Sequence, residues 1–206
     1  LQYLHFIGGG TLITPGFKKN LSALVDANLA KYITIGFTTN LIVWAEEINE
    51  LLIQFKQVNL GLSLETLTPV NDYVRYPSQL TQTKLLLDKW VELGKTHNWY
   101  IQLRTTPTCL TIHDLYTVYN YAWENNINVE SCNFINEPVF FRPSVLPIEY
   151  RNEIINHLEF WISEHSVSTS QQIINTRDPN FSQEQLVQDL QSYICLLYTS
   201  DAADDT

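Results

Sequence analysis

The stretch Tyr3-Leu4-His5-Phe6-Ile7-Gly8-Gly9-Gly10-Thr11 decides how the chain is organised. It begins as an apolar run, which is typical of a buried strand, and three glycines end it. Thr14-Pro15 follows, and a hydroxyl residue before a proline predicts the N-cap and first turn of a helix. Glycine lets a ligand approach the backbone closely, so this strand end is a candidate ligand turn.

The alternation of strands and helices continues to about residue 165. Strands are predicted over residues 3–7, 32–37, 58–64, 100–103 and 129–134. Helices are predicted from residue 14 and over residues 44–55, 80–96, 112–124 and 148–164, and Ser182 is predicted to cap a last one. The strands read as short and nearly continuously apolar, as expected of strands that helices cover. The order predicts an α/β fold with a parallel sheet, either barrel-like or doubly wound.

The composition limits the classes of function. The 206 residues include 22 acidic and 12 basic ones, a formal net charge of -10. An acidic chain does not favour binding to nucleic acid or to anionic membranes, which need basic patches. No apolar run is long enough to span a membrane. The three cysteines, Cys109, Cys132 and Cys195, are too few and too scattered for a disulfide framework. We therefore expect a cytoplasmic protein.

Both ends of the sequence have unusual features. The chain contains no methionine, and it begins within a predicted strand. Residues 195–205 resemble a sequencing-library adapter translated in frame, so we expect residues 195–206 to be a disordered artefact. We expect a fragment derived from metagenomic DNA, with a linker and a shortened helix over residues 165–194.

Polar residues follow the predicted strands, where both architectures bind their ligands. The candidate binding residues are Gly8, Gly9, Gly10, Thr39, Asn40, Ser63, Glu65, Thr105 and Asn136. Such small hydrogen-bonding groups suit a nucleoside-type ligand better than a hydrolytic metal centre. The glycines do not match the P-loop motif. They do not match the dinucleotide-binding fingerprint either, because Ile13 stands where that motif has its third glycine. No metal site is predicted.

Each candidate also has a plainer interpretation. The glycines can form an ordinary tight turn, Thr39 and Asn40 can end a strand, and Glu65 can be a solvated loop acid. His5 lies in a strand and is expected to be a core histidine rather than a catalyst. Cys109 and Cys132 are expected to be small buried residues.

The ordered series of strand ends resembles the later part of a radical S-adenosylmethionine (radical SAM) domain of the twitch-domain type, over residues 1–164. Phe6 to Leu12 takes the place of that family's Gly-Gly-Glu-Pro motif, with Gly10 and Thr11 where the family has Glu and Pro. Thr38-Thr39-Asn40 is similar to a Thr-Asn-Gly strand end, and Ser63-Leu64-Glu65 to a Ser-x-Glu motif. Tyr73 to Pro77 and Leu146-Pro147 are similar to later segments of the family.

The resemblance implies a partial (β/α)6 barrel-like sheet without its first strand and cluster loop. It also implies reductive cleavage of S-adenosylmethionine (AdoMet) to a 5′-deoxyadenosyl radical, which abstracts hydrogen from a substrate. The glycines would approach the methionine end of AdoMet, Thr39 and Asn40 would line the pocket, and Ser63 and Glu65 would contact the ribose. Thr105 and Asn136 would face adenine or substrate.

The cofactors and partners follow from the same resemblance. The cysteines that ligate the [4Fe-4S] cluster are expected upstream of Leu1, so the fragment alone is expected to be inactive. The resemblance implies a substrate that is a peptide or a small molecule, and an external electron donor. The alternative is an α/β nucleotide-binding domain with a strand-end pocket and no radical chemistry.

Overall fold

The computed structural model describes residues 2–8, 10–130, 135, 137–166 and 182–199. Its strands are β1 (Tyr3–Phe6), β2 (Thr34–Thr39), β3 (Gln57–Ser63), β4 (Tyr100–Arg104) and β5 (Asn128–Glu130). The helices are α1 (Pro15–Asp26), α2 (Glu46–Leu52), α3 (Val70–Val74), α4 (Leu80–Thr96), α5 (Leu115–Asn125), α6 (Ile148–Ser166) and α7 (Gln183–Thr199). Short 3-10 turns cover Thr11–Ile13, Ala30–Tyr32, Ile112–Asp114, Val139–Phe141 and Pro143–Val145.

The five strands form one sheet in the order β1-β2-β3-β4-β5. The pairs β1–β2 and β2–β3 are parallel, with Phe6 opposite Phe37 and Thr39 opposite Leu62. Sequential strand order with helical crossovers is the arrangement of a partial (β/α) barrel, and it confirms the predicted fold class.

The chain divides into two compact units, each described by itself. The first comprises residues 1–64 and 78–103, and the second residues 65–77 and 104–206. In the first unit, Phe37 and Trp44 both contact Trp90 edge-on in the core. In the second, Trp161 packs against Tyr119 and Trp123. The predicted domain boundaries at residues 164 and 194 stay predictions.

The ends of several elements differ from the prediction for local reasons. Helix α1 begins at Pro15, but the Thr14 hydroxyl donates to the Gly10 carbonyl (2.9 Å) instead of capping the helix. Helix α2 starts two residues after Trp44, whose indole nitrogen donates to Glu46 (2.7 Å). Helix α3 lies between the predicted third strand and the helix predicted from residue 80, where no helix was predicted. The predicted fifth strand is described only to residue 130, and residues 131–134 lie outside the described residues.

The last helix corrects one expectation about the end of the chain. Ser182 caps it as predicted, accepting from the Gln185 amide through its hydroxyl (3.1 Å). The helix continues to Thr199, so residues 195–199 are helical where disorder was expected, and Leu197 is buried. The Leu197 carbonyl accepts a hydrogen bond from Arg151 (3.2 Å). Residues 200–206 lie outside the described residues.

Candidate ligand-binding site

The predicted site residues of the first unit lie together at one edge of the sheet. Gly8 and Gly10 follow β1, Thr39 ends β2 and Asn40 comes directly after it, and Ser63 ends β3. Because the three strands are parallel and in register, their carboxyl ends are level with one another. The structure therefore brings these five residues to the same end of neighbouring strands. Gly9 lies outside the described residues.

Gly8 has the conformation that a ligand turn requires. Its φ is +147°, a region that residues with a side chain rarely adopt, and no described atom lies within 4 Å of where a Cβ would stand. The Thr11 hydroxyl donates to the Gly8 carbonyl (3.2 Å) and helps to hold the turn. An exposed backbone beside open space allows close approach of a ligand, and contact of Gly8 with a cofactor stays a prediction.

The turn after β2 holds a residue in an unusual backbone conformation. Leu41 has a φ of +59° and is only 1% exposed. A left-handed conformation costs a leucine about 1–2 kcal/mol, and such residues cluster at functional sites. Thr39 is buried, and its hydroxyl accepts from the Leu41 amide (3.3 Å). The half-buried Asn40 is thereby held between two fixed neighbours, a feature that sequence reasoning missed.

In the second unit, Glu65 contacts Thr105, Thr106 and Arg75. One Glu65 oxygen accepts from Arg75 Nε (3.1 Å) and Nη2 (2.8 Å), and the other accepts from the Thr106 amide (2.8 Å) and the Thr105 hydroxyl (3.3 Å). Both oxygens are thus engaged within the chain, and contact of Glu65 with a ribose stays a prediction. Asn136 lies outside the described residues.

The sheet also has a feature that the sequence prediction described wrongly. The strands are not continuously apolar: in β2 and β3, buried Ile35, Phe37, Val58, Leu60 and Leu62 alternate with other residues. The alternating residues point to the opposite side of the sheet, because side chains on a strand alternate in direction. On β1–β3 we call this side the polar face, formed by Tyr3, His5, Thr34, Gly36, Thr38, Gln57, Asn59, Gly61 and Ser63. The signal was visible in the period-2 pattern of residues 57–63.

His5 corrects a further expectation, since it is exposed on the polar face rather than buried in the core. Its Nδ1 lies 2.9 Å from the Tyr3 hydroxyl. This pair packs over Gly36 so closely that a Cβ there would lie 2.4 Å from His5 Nδ1 and 2.5 Å from Tyr3 Oη. Gly36 therefore makes room for the pair.

Cys109 and Cys195 differ in their surroundings. Burial raises the pKa of the Cys109 thiol, which donates to the Phe140 carbonyl (3.4 Å). Cys195 is exposed, and Cys132 lies outside the described residues.

Within the described ranges, no three His, Cys, Asp or Glu side chains are grouped to hold a metal ion. The described residues therefore do not fit a [4Fe-4S] cluster. No helix in the described part of the chain combines the length and apolarity needed to cross a bilayer.

Solved structures of other proteins resemble this fold. SuiB from Streptococcus suis, bound to the precursor peptide SuiA, matches with a TM-score of 0.55 and 16% identity, over 80% of this chain and 36% of that one. The protein anSMEcpe with bound AdoMet matches with a TM-score of 0.52 and 18% identity, over 79% of this chain and 46% of that one. Its complex with AdoMet and the Kp18Cys peptide also scores 0.52, with 18% identity over 79% and 47% of the two chains.

The chain thus spans between about a third and a half of the length of these solved structures. No protein-family model and no curated protein matches the sequence. At this level of identity the likeness establishes the fold, and it agrees with the order of strand-end motifs seen in the sequence. The described part of the chain has the fold of a radical SAM-like domain.

Proposed function

We propose that this chain is the AdoMet-binding part of a radical SAM enzyme. The observation that carries the proposal is the match of 79% of the chain to a solved structure that holds AdoMet. The open backbone at Gly8 supports it, because that turn leaves space where the resemblance places the methionine end of the cofactor. When bound, AdoMet supplies the 5′-deoxyadenosyl group for hydrogen abstraction.

The residues of the first unit would bind and orient the cofactor rather than react with it. The backbone at Gly8 and Gly10 would approach the methionine group, Thr39 and Asn40 would line the pocket, and Ser63 would contact the ribose. The remaining proposed contacts are Gly9, Glu65, Thr105 and Asn136. We propose a cytoplasmic location, an external electron donor and a peptide substrate, the last because the solved SuiB and anSMEcpe complexes hold peptides.

The chain as it stands is proposed to lack radical chemistry, because its described residues do not fit the cluster. Anaerobic reconstitution with iron and sulfide is therefore expected to yield no stoichiometric four-iron signal. Iron analysis and electron paramagnetic resonance measure this, and a full four-iron complement would refute the proposal of inactivity.

Isothermal titration of the 206-residue chain with AdoMet tests the binding function. We expect saturable binding that Gly8→Ala weakens about tenfold, the equivalent of 1.4 kcal/mol, because alanine is strained at a φ of +147°. Gly16→Ala is the matched control, since Gly16 is exposed and also has open space beside it but lies in helix α1.

Two results would count against this function. If AdoMet does not bind the folded wild-type chain, the proposal is wrong. If ATP displaces AdoMet with equal affinity, the alternative of a general nucleotide-binding domain is favoured. Equal effects of the Gly8 and Gly16 substitutions would exclude the glycine turn from the binding site.

A further inference from the structure

Two histidines from distant parts of the sequence lie side by side on the surface of the second unit. His113 belongs to the 3-10 turn Ile112–Asp114, and His157 belongs to helix α6. Their ring centres are 5.7 Å apart, with an angle of 47° between the ring planes. Both side chains are exposed. Because the two residues are far apart in the sequence, no spacing motif reveals the pair, and the folded chain alone brings it together.

The carboxylate of Asp114 orients the first of these rings. Its Oδ1 lies 3.3 Å from His113 Nδ1, and an ionised carboxylate can only accept, so Nδ1 carries the proton when the imidazole is neutral. The other ring nitrogen, Nε2, then has a free lone pair, as a metal ligand requires. The Thr68 hydroxyl donates to Asp114 Oδ2 (2.6 Å), and the Asp114 side chain is only 19% exposed. Asp114 is therefore itself held in place.

The second ring is held by an aromatic neighbour. Tyr116, in helix α5, contacts His157 edge-on, with ring centres 5.5 Å apart and an angle of 61° between the rings. Such a contact limits the rotation of an otherwise exposed side chain. Two imidazoles whose rotation is already restricted lose less side-chain entropy when one ligand joins them.

The separation of the two rings matches the size of a bridging metal ion. Zn²⁺ binds an imidazole nitrogen at about 2.0–2.1 Å, which places the ion about 3.2 Å from the ring centre. At a tetrahedral angle, two rings on one ion would have centres about 5.3 Å apart, close to the 5.7 Å between His113 and His157. Imidazole is a preferred ligand of divalent zinc, copper and nickel, and a chain with a net charge of -10 attracts cations.

We propose that His113 and His157 together bind a divalent transition-metal ion such as Zn²⁺, with water completing its coordination. Asp114 is a positioning residue, since it acts through His113. A site of two histidines and water differs from a three-ligand centre, of which the described ranges hold none. The ion would connect the segment after β4 to helix α6, and a link between distant parts of a chain stabilises the folded state. Metal binding at this pair does not depend on the proposed AdoMet site.

Isothermal titration of the 206-residue chain, without a histidine tag, with Zn²⁺ tests the site. Exposed Cys195 is itself a zinc-binding group, so the titrations use the Cys195→Ser background. We expect saturable binding of one ion per chain, and His113→Ala or His157→Ala should weaken it at least tenfold. The double variant should lose no more than either single one, because both side chains hold the same ion. His97→Ala is the matched control: it removes an exposed histidine at the end of helix α4 and should leave the affinity unchanged.

The role of Asp114 has its own measurement. Asp114→Asn is expected to weaken Zn²⁺ binding about tenfold, because the carboxylate no longer fixes the tautomer of His113. 1H–15N NMR spectra of the histidine rings report which nitrogen carries the proton. They should show His113 protonated at Nδ1 in the neutral wild-type ring and a mixture of tautomers in the variant, which a merely structural role would not produce. Circular dichroism confirms that each variant is folded.

Several outcomes would overturn the inference. These are no saturable Zn²⁺ binding to the folded chain at millimolar concentration, equal effects of His97→Ala and His113→Ala, and additive losses in the double variant. Mg²⁺ prefers oxygen ligands, so binding of Mg²⁺ with the same affinity would instead indicate diffuse attraction to the acidic surface. Full retention of binding after His157→Ala would exclude the two-histidine site as well.

Discussion

Glu65 carries the sharpest test of how the second unit is held together. Its carboxylate accepts four hydrogen bonds, two from Arg75 and one each from Thr105 and Thr106. The side chains of Glu65 and Arg75 are 13% and 24% exposed, so water screens the pair only in part. The contacts join the segment after β3, the end of helix α3 and the segment after β4.

Replacing Glu65 with alanine leaves the Arg75 guanidinium and the Thr106 amide without this acceptor. Charge-assisted hydrogen bonds contribute about 1.5–3 kcal/mol, and breaking a fully buried ion pair costs about 3–5 kcal/mol. Because this pair is partly exposed, we expect Glu65→Ala to lower the free energy of unfolding by about 2–4 kcal/mol. For a chain of this length that corresponds to a fall in Tm of roughly 4–16 °C.

Thermal unfolding followed by circular dichroism measures the effect, and Glu47→Ala is the matched control. Glu47 also pairs with a cation, Lys18, but their side chains are 75% and 50% exposed. Such surface pairs contribute little, so the control Tm is expected within about 2 °C of the wild type. Equal Tm changes for Glu65→Ala and Glu47→Ala would refute the argument from burial.

The same residue separates structural from ligand-binding roles. Glu65→Gln keeps the shape of the side chain but points an amide donor at Arg75 or Thr106, and an intermediate loss of stability is expected. If this variant remains folded and binds AdoMet with unchanged affinity, Glu65 acts within the chain only. A tenfold loss of AdoMet affinity with the fold intact would instead support the predicted ribose contact.

Three other predictions concern packing, reactivity and pH. Gly94→Ala should lower the free energy of unfolding by about 1–3 kcal/mol, because the new Cβ would stand 2.2 Å from the Ile101 side chain. Thermal unfolding measures this as a lower Tm, and an unchanged Tm would show that the Ile101 side chain moves aside freely. Iodoacetamide near neutral pH should modify Cys195 several-fold faster than Cys109, because Cys195 is exposed and burial raises the pKa of the Cys109 thiol. Peptide mass mapping measures the two rates, and equal rates would contradict this reasoning. A hydrogen bond from Lys18 and its positive charge hold the pKa of Glu47 below its ordinary value of 4.5. Any amount by which the wild-type Tm exceeds that of Glu47→Gln should therefore be present above about pH 4.5, and it should vanish as the pH falls through the lower pKa of the folded state. A Tm difference that persists in stronger acid would exclude this ion pair as its source.

Most of the fold could be predicted from local sequence, and the site only in part. The bounds of helix α4, Leu80–Thr96, agree with the prediction, because its apolar spacing repeats over 17 residues. The first-unit strand ends also follow from sequence order, since parallel strands place their carboxyl ends at one edge. The prediction of nearly continuously apolar strands is wrong for β3, whose residues alternate between the buried side and the polar face.

Local sequence alone specifies the order of strands and helices, the Ser182 cap and the candidate residues after each strand. These features depend on residues a few positions apart, whose spacing and capping chemistry are written in the chain. The folded arrangement is needed to see that Glu65 contacts Thr105 and Thr106, about 40 residues away. The same holds for the packing of Tyr3 and His5 over Gly36. Strand register and loop packing fix such contacts, and both depend on the whole fold.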